Sequence, residues 1–410
     1  MHESAHHSHR SLGLRLSFTV AALAMLAPFS IDTYLPSFPD IGREFAASPA
    51  TLQQTLSLYL LSFAAMMLVY GPLSDAFGRR TVILVSIAVY MASSIGCALA
   101  PSIEWLLLMR IGQGLSASGA LVVGRAIIRD AFAGPVAQRV MSQVMLIFAL
   151  APAVAPVIGG WLHDAFGWRS VFWFMLLLGF VVWLWVAAFL PETLPPVGRQ
   201  SGHPRAIAAA YLKAFTTARF MTLIAVIALN FGGFFLYIAG SPDVMYIHLH
   251  YGANDFWRLF VPLVAGLMLG AFISGRMAGH FTHEQAVTGG FGLMLTSSVS
   301  NLGLAFWYSH TPMTIIAPVV VYATGMSLAM PNLSLLALEV FPTHRGLASA
   351  VQGFIQAGFN GVVAGVFATL LSSRVELLAA GMIAMNLASF GCWMWWRHRQ
   401  AVLSPMPVLP

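Results

Sequence analysis

The stretch Gly71-Pro-Leu-Ser-Asp-Ala-Phe-Gly-Arg-Arg80 separates two long apolar segments of the chain, residues 52–74 and 81–100. Its two glycines permit a tight turn, and Asp75 places a carboxylate close to helix ends, where a helix dipole favours negative charge. Positive charge at the cytoplasmic end of a membrane helix would explain the two arginines, but it would not explain the spacing of the glycines and the aspartate. The stretch therefore predicts a specific short turn between two helices, with both arginines held on one side.

The composition of the whole chain places these segments in a membrane. Of its 410 residues, 59% are hydrophobic and 8% are charged, and the mean hydropathy is +0.80. A typical soluble domain is about 45–50% apolar and about 25% charged. So few charges cannot cover a water-exposed surface, which excludes an ordinary soluble enzyme, a disordered chain and a disulfide scaffold. A membrane-crossing helix takes about 20 residues, so the chain has room for roughly a dozen.

Twelve apolar windows, bounded by charges, proline or glycine, predict an all-α integral membrane protein with twelve transmembrane helices. Each window is continuous for about 20 residues, whereas the strands of a membrane barrel alternate over about ten. The windows cover residues 14–36, 52–74, 81–100, 103–127, 138–162, 168–190, 219–240, 257–279, 285–307, 313–337, 347–371 and 376–396.

The placement of lysine and arginine predicts the orientation of these helices, because cytoplasmic loops carry an excess of both residues. With the N-terminus in the cytoplasm, 15 of the 20 lie in cytoplasmic segments or helix ends, four lie at the opposite end, and Arg110 lies inside a window. The reverse orientation would invert this ratio. We therefore expect both termini in the cytoplasm, in a multi-pass protein of the bacterial inner membrane.

The longest polar interruption divides the windows into two sets of six. It begins Pro-Glu-Thr-Leu-Pro-Pro-Val-Gly and is rich in proline, glycine and basic residues, as expected of a linker. Equal halves are typical of a transporter built from two repeated helical bundles. The predicted organisation is a cytoplasmic N-terminal tail at 1–13, an N-terminal six-helix bundle at 14–190, a cytoplasmic linker at 191–218, a C-terminal six-helix bundle at 219–396 and a cytoplasmic tail at 397–410.

Two charged residues in or near the windows are functional candidates. Arg110 lies inside the fourth window, in the segment Arg-Ile-Gly-Gln-Gly, and a charge inside a membrane is costly unless it has a partner, water or a cavity. Asp32 lies at the outer end of the first window, in the segment Ser-Ile-Asp-Thr-Tyr-Leu-Pro. Its carboxylate is either a solvated helix end or a cavity acid that exchanges protons, and the sequence leaves both open.

The fifth window carries prolines and glycines along one face of its predicted helix. Pro152, Pro156, Gly159 and Gly160 recur at i, i+4, i+7 and i+8. Prolines bend a helix, and small residues let a neighbouring backbone approach closely. Ordinary helix packing is sufficient to explain the pattern.

Together these segments resemble the major facilitator superfamily. The segment around Arg110 is similar to the family's fourth-helix motif, whose arginine is associated with proton coupling, and Gln113 and Gly114 match that motif. The fifth window resembles the antiporter motif of the family's exporters, although Ala149 and Ala155 stand where that motif has glycines. The first quoted stretch resembles the loop signature after the second helix, and its matching positions are Gly71, Leu73, Asp75, Gly78, Arg79 and Arg80.

The surroundings of Asp32 resemble the drug:proton antiporters of the Bcr/CflA group, as do Arg129-Asp130, residues 167–169 and residues 191–193. These matches cover about residues 25–196, and the second half is matched by its window count and by a less specific loop at 339–346. The resemblance implies that Asp32 and Arg110 couple protons, with Arg110 tuning the charge of Asp32.

The resemblance also implies a cytoplasmic gate. Asp75 would brace the turn at residues 346–349, and Arg79 would pair with Asp130. The implied gate residues are Gly71, Asp75, Gly78, Arg79, Arg80 and Asp130.

Polar side chains inside the apolar windows are the candidates for a substrate cavity. A single polar side chain of this kind more often forms a hydrogen bond between helices. Together with their aromatic neighbours, however, these side chains predict a mainly apolar pocket with little fixed charge. Such a pocket suits lipophilic compounds. The candidates are Tyr34, Tyr59, Gln113, Asn230, Tyr237, Asn332, Gln352, Gln356 and Asn360.

The expected function is proton-coupled export of small lipophilic drugs or antibiotics, and not catalysis. The chain has no Gly-x-x-x-x-Gly-Lys-Ser/Thr loop for phosphate, so we expect the proton gradient to supply the energy, without ATP, a metal or another cofactor. The expected partners are a small-molecule substrate, protons and the lipid bilayer, with no nucleic acid, and the chain is expected to act as a monomer. An exporter or importer of a metabolite, such as an amino acid or nucleoside, remains an alternative. A membrane-embedded enzyme or sensor is a second alternative, which would require clustered catalytic groups or a soluble output domain.

Overall fold

The computed structural model describes residues 2–132, 134–194, 204–307 and 311–403, which are almost entirely helical and contain no β-strand. The α-helices are α1 (His2–Asp32), α2 (Phe38–Glu44), α3 (Pro49–Met67), α4 (Tyr70–Phe77), α5 (Arg79–Ala98), α6 (Ile103–Ala131), α7 (Gly134–Phe166), α8 (Arg169–Phe189), α9 (Pro204–Thr216), α10 (Ala218–Ala239), α11 (Ser241–Asp243), α12 (Trp257–Met277), α13 (His283–Trp307), α14 (Pro312–Glu339), α15 (Arg345–Val362), α16 (Thr369–Leu371) and α17 (Val375–Leu403).

Twelve segments of the described chain have the length of a membrane-crossing helix. Ten of them are long enough and apolar enough to cross a membrane. Helices α3 and α4 together form an eleventh segment, which is bent by 50°. The twelfth is α13, whose 25 residues include serine, threonine and asparagine that lower its apolarity. The prediction of an all-α membrane protein is confirmed, and the twelve segments agree with the predicted number.

Helix boundaries differ from the predicted windows at both ends of the N-terminal half. The first helix begins at His2, so the predicted tail is helical, since no proline interrupts the segment before Pro28. Within the predicted linker, residues 204–216 form α9, because this segment is rich in alanine and other good helix formers. The rest of the linker, residues 195–203, and the end of the C-terminal tail, residues 404–410, lie outside the described residues.

The helices before and after the linker form two groups that meet along two seams. In the first seam α3 packs along α15, and in the second α7 packs on α12. The Ser57 hydroxyl donates a hydrogen bond to the Gly361 carbonyl at 2.8 Å, and the Gln54 side-chain amide donates one to the Gly365 carbonyl at 3.0 Å. Gly365 belongs to a π-helical segment, Val363–Ala368, where the wider turn changes the usual backbone pairing.

The end of the molecule that lies away from residues 71–80 is closed by contacts between the two halves. The Tyr246 hydroxyl donates to the Pro36 carbonyl at 2.7 Å. Asn254 donates its amide hydrogen bond to the Asp164 carboxylate at 2.9 Å. We call this the closed end, and the end that bears residues 71–80 the loop end.

Candidate functional site

A central cavity of about 270 Å³ lies between the two halves of the molecule. Aromatic rings from both halves, including Phe63, Phe148, Phe231 and Phe235, make much of its wall apolar. The central cavity therefore combines a large apolar surface with a few polar groups. Its charged and polar lining residues are Asp32, Arg125, Ser349, Gln352, Gln356 and Asn360.

Asp32 is the carboxylate of this cavity. It is the last residue of α1, and the chain then turns through Thr33 and Tyr34 into a short 3-10 helix, Leu35–Ser37. Asp32 is 3% exposed and forms no hydrogen bond or ion pair with any described residue. Burial without a partner is costly for a charged carboxylate, so the site favours a group that can take up a proton. The structure thus favours the cavity acid over the solvated helix end that the sequence left open.

Arg110 lies elsewhere, in the interior of the N-terminal half. Its guanidinium donates to the Ser30 carbonyl at 3.0 Å and to the Gln113 side-chain oxygen at 2.8 Å. The same group stacks over Tyr34 and Tyr59, at 4.8 and 4.4 Å from the ring centroids. Carbonyl oxygens and aromatic faces therefore stabilise this cation. We find no ion pair between it and Asp32, so direct tuning of that carboxylate by Arg110 has no contact to support it.

Most of the predicted cavity residues line no part of the central cavity. Only Gln356 and Asn360, together with Gln352, lie on its wall. The others point into the interior of their own half, because a helix in a bundle faces its neighbours on several sides and polar groups pair there. The predicted cavity residues that lie away from the central cavity are Tyr34, Tyr59, Gln113, Asn230, Tyr237 and Asn332.

These interior residues hold helices of one half together. The Tyr237 hydroxyl accepts a hydrogen bond from the Asn301 amide at 2.6 Å, and the Tyr322 hydroxyl donates to the Asn230 carbonyl at 2.9 Å. Asn332, on α14, donates its amide hydrogen bond to the Ser274 hydroxyl of α12 at 3.4 Å. Most of them thus satisfy polar groups between helices, the alternative that the sequence had left open for each, whereas the side-chain amide of Asn230 has no hydrogen-bond partner among the described residues.

The proline–glycine face of α7 reaches both the cavity and the closed end. Pro152 lies on the cavity wall, and Pro156 follows one turn later. A Cβ atom added at Gly159 would lie 2.1 Å from the Thr33 carbonyl oxygen, and one added at Gly160 would lie 2.1 Å from the Ala253 carbonyl oxygen. The first glycine thus lets α7 approach its own half, and the second lets it approach the other half.

At the loop end, Arg79 joins the two charged segments that the sequence singled out. Its Nε atom donates to Asp130 at 2.9 Å, and its Nη1 atom lies 2.6 Å from an Asp75 oxygen. The expected Arg79–Asp130 pair is therefore present. Gly78 has φ of 93°, in the left-handed region that favours glycine, which explains this position of the motif. A Cβ atom at Gly71 would meet nothing within 4 Å, so packing does not explain that glycine.

Glu192 has a role that the sequence did not reveal. Its carboxylate accepts hydrogen bonds from the backbone N–H groups of Arg79 and Arg80, at 2.9 and 3.3 Å. It therefore caps the first turn of α5, where unpaired N–H groups and the helix dipole favour an anion. The Arg80 guanidinium donates to the Ala187 carbonyl at 2.7 Å. Only the tertiary structure brings the end of α8 beside this turn.

A vestibule of about 620 Å³ opens at the loop end. Asp75 and Arg79 line one wall, and Gly346 and Leu347 line another. We find no hydrogen bond between Asp75 and residues 346–349, so the expected brace is absent from this conformation.

The linker helix α9 forms part of the vestibule wall and contacts both halves. The Tyr211 hydroxyl donates to the Leu68 carbonyl at 2.9 Å, and the ring of Phe215 packs edge-on against Phe354 at 5.9 Å. Burial, and secondarily the negative charge of Asp75, raise the pKa of the Tyr211 hydroxyl, which keeps it a neutral donor. The described helix of the predicted linker, Pro204–Thr216, is therefore a structured element at the loop end.

Arg125 is the cavity residue that sequence reasoning missed. It is one of the 15 basic residues that the predicted orientation places in cytoplasmic segments or helix ends, and the structure also places it on the wall of the central cavity. The available signal was its position inside the apolar window 103–127, where a charge is costly.

Sequence comparison identifies the family of the chain. The profile described as Major Facilitator Superfamily matches residues 20–365. The chain belongs to this superfamily. It is accordingly a multi-pass membrane transporter and not an enzyme, and the predicted family is confirmed.

Relatives within the superfamily match nearly the whole chain. It is 31% identical, over 92% of its length and 95% of the relative, to the uncharacterized MFS-type transporter YdgK of Bacillus subtilis (strain 168). It is 28% identical, over 86% of its length and 88% of the relative, to a bicyclomycin resistance protein homolog of Haemophilus influenzae. Multidrug resistance protein D of Escherichia coli (strain K12) is 25% identical, over 94% of this chain and 96% of that protein.

Solved structures of the superfamily share the fold. A bacterial homolog of the human lysosomal transporter Spinster, inward-facing and unoccupied, has a TM-score of 0.71 at 17% identity, over 97% of this chain and 99% of that one. The human organic anion transporter MFSD10 has a TM-score of 0.71 at 17% identity, over 93% of this chain and 99% of that one. At this level of identity the similarity shows the fold alone.

Proposed function

We propose that this chain exports small lipophilic drugs or antibiotics across the bacterial inner membrane in exchange for protons. The observation that carries the proposal is Asp32, a buried carboxylate without a described partner on the wall of a mainly apolar cavity. Relatives named for multidrug and bicyclomycin resistance support the choice of cargo.

Exchange follows from alternating access to the central cavity. We take the loop end as cytoplasmic, because most lysines and arginines lie at that end of the predicted spans. In the present conformation Asp32 releases its proton toward the cytoplasm and a substrate enters. When the halves rock, a periplasmic proton binds Asp32 and the substrate leaves. Each chain carries its own cavity and both seams, so the proposed exporter acts as a monomer.

The proton gradient is the proposed energy source, without a cofactor. One proton that crosses a membrane potential of 100 mV supplies about 2.3 kcal/mol. That free energy sustains roughly a 50-fold concentration gradient of a neutral substrate. A single protonatable carboxylate is therefore sufficient for useful export.

The first test replaces Asp32 by asparagine, which keeps the shape of the side chain and removes its charge. In a host that lacks its own efflux pumps, the wild-type chain should lower susceptibility to at least one compound of a drug panel, and Asp32→Asn should abolish that protection. Glu104→Gln is the matched control, because Glu104 is exposed and lies outside the cavity. Unchanged susceptibility to every compound with the wild-type chain would favour a metabolite as the cargo.

A second measurement tests the coupling itself. Addition of an exported compound to energised inverted vesicles should release protons from the lumen with the wild-type chain and not with Asp32→Asn. Transport without any proton release would contradict the exchange mechanism while leaving the export of drugs intact.

A further inference from the structure

Three arginines line a small cavity between the vestibule and the central cavity. A passage of about 250 Å³ is lined by Arg125, Arg129 and Arg345, and no described carboxylate lies on its wall. Met67, Arg125 and Ser349 line both this passage and the central cavity, so the two cavities are neighbours.

None of these three arginines forms an ion pair with a carboxylate among the described residues. The nearest acidic groups of the vestibule are already engaged, because Asp75 and Asp130 both bind Arg79. A cation in a membrane segment without a counter-charge is costly, and a narrow basic passage attracts anions and repels cations. The passage is therefore complementary to a ligand that brings a negative charge.

Arg125 and Asp32 both line the central cavity, and their backbones lie at different levels along α1. A Cβ atom at Gly124, the neighbour of Arg125, would contact Val20 of α1 at 3.2 Å. Asp32 lies twelve residues further along α1, which corresponds to about 18 Å at 1.5 Å per residue. The amides of Gln352 and Gln356 line the same cavity. One elongated molecule in the cavity could thus meet the cation at one end and the carboxylate at the other.

We infer that Arg125 is a specificity-determining residue and that the compounds carried by this chain bear an anionic group, of the carboxylate class, which binds the Arg125 guanidinium. This inference rests on the proposed export function. A guanidinium binds a carboxylate through two parallel hydrogen bonds, which gives strength and orientation. An ester of the same compound lacks the charge and cannot form that pair.

The experiment measures binding to the purified full chain, so that it does not depend on transport. The probes are a rhodamine dye with a free carboxylate and the methyl ester of the same dye, followed by fluorescence anisotropy. The acid should bind more tightly than the ester by roughly tenfold, which corresponds to about 1.4 kcal/mol. Arg125→Gln should remove this preference, and Arg125→Lys should retain much of it because the charge remains.

Arg276→Gln is the matched control. It removes a positive charge at the same end of the molecule, on α12, from a residue that lines neither the passage nor the cavity. The preference for the acid should survive this change. Arg125→Lys also shows that position 125 tolerates substitution, so a loss with Arg125→Gln cannot be attributed to misfolding alone.

Three results would overturn the inference: no binding of the acid, equal or tighter binding of the ester, or a preference that Arg125→Gln leaves unchanged. Uptake of the same dyes into inverted vesicles then separates this inference from the proposed function. If the chain binds the acid through Arg125 but the vesicles never accumulate the acid when a proton gradient is present, the inferred binding site stands and the proposed export is contradicted.

Discussion

Arg79 is the residue where three separate parts of the sequence meet. Its side chain bonds Asp75 in its own turn and Asp130 at the end of α6, while its backbone N–H bonds Glu192 beyond α8. The side chain is buried, so the two carboxylates are needed to balance its charge. Removal of one partner should therefore weaken the whole loop end.

Exchange of the charges tests this pairing. Arg79→Asp and Asp130→Arg should each reduce transport, because each leaves like charges facing one another, and the double variant should recover part of the activity. Recovery should be incomplete, since Asp75 then lies beside a second carboxylate. Initial rates of efflux in vesicles are the measurement.

The control for this exchange is Arg80, whose guanidinium bonds a backbone carbonyl rather than a carboxylate. Combination of Arg80→Asp with Asp130→Arg should give no recovery. Equal recovery with Arg79 and Arg80 would show that net charge, and not the Arg79–Asp130 contact, governs transport.

At the scale of the element, α7 shows how small residues set the distance between helices. Gly159 faces Thr33 in its own half and Gly160 faces Ala253 in the other half, both with no room for a methyl group. Because the obstructing atoms are backbone carbonyls, they cannot rotate away as a side chain would. Substitutions at the two neighbouring glycines therefore test two different interfaces.

Alanine at each glycine should have distinct consequences. Gly159→Ala should lower the stability of the purified protein by about 1–3 kcal/mol, the usual cost of an overfilled interior, and lower its melting temperature. Gly160→Ala should separate the halves at the closed end, visible as a longer distance between spin labels at positions 43 and 258.

Gly275→Ala is the matched control for both changes, because a Cβ atom there would meet nothing within 4 Å. Alanine also favours a helix over glycine by about 1 kcal/mol, so this variant should be neutral or slightly stabilised. Identical behaviour of Gly160→Ala and Gly275→Ala would contradict a role for Gly160 in closure.

At the scale of the whole molecule, the structure is closed at one end and open at the other. The passage lies between the central cavity and the vestibule at the loop end, while the Tyr246–Pro36 and Asn254–Asp164 contacts seal the opposite end. Export by alternating access requires these sealing contacts to break in every cycle.

A reversible cross-link tests that requirement. Asp164→Cys combined with Asn254→Cys, in a chain whose Cys97 and Cys392 are replaced by alanine, should form a disulfide on oxidation, since the native side chains touch at 2.9 Å. Oxidation should stop transport and a reductant should restore it, whereas Asp164→Cys alone should respond to neither. Continued transport by the fully cross-linked protein would show that the closed end need not open.

The sequence by itself determined the membrane class, the helical segments and the family, because hydrophobic run length and turn motifs are local properties. It also found Asp32 and the Arg79–Asp130 pair, since the resemblance placed both in specific motifs. Only the tertiary structure decided which polar groups face the cavity, because each helix in a bundle has several buried faces that its sequence does not distinguish. The packing thus directs the Arg110 guanidinium to the Ser30 carbonyl and Gln113 rather than to the Asp32 carboxylate, and it puts Arg125, at the cytoplasmic end of its window, on the cavity wall.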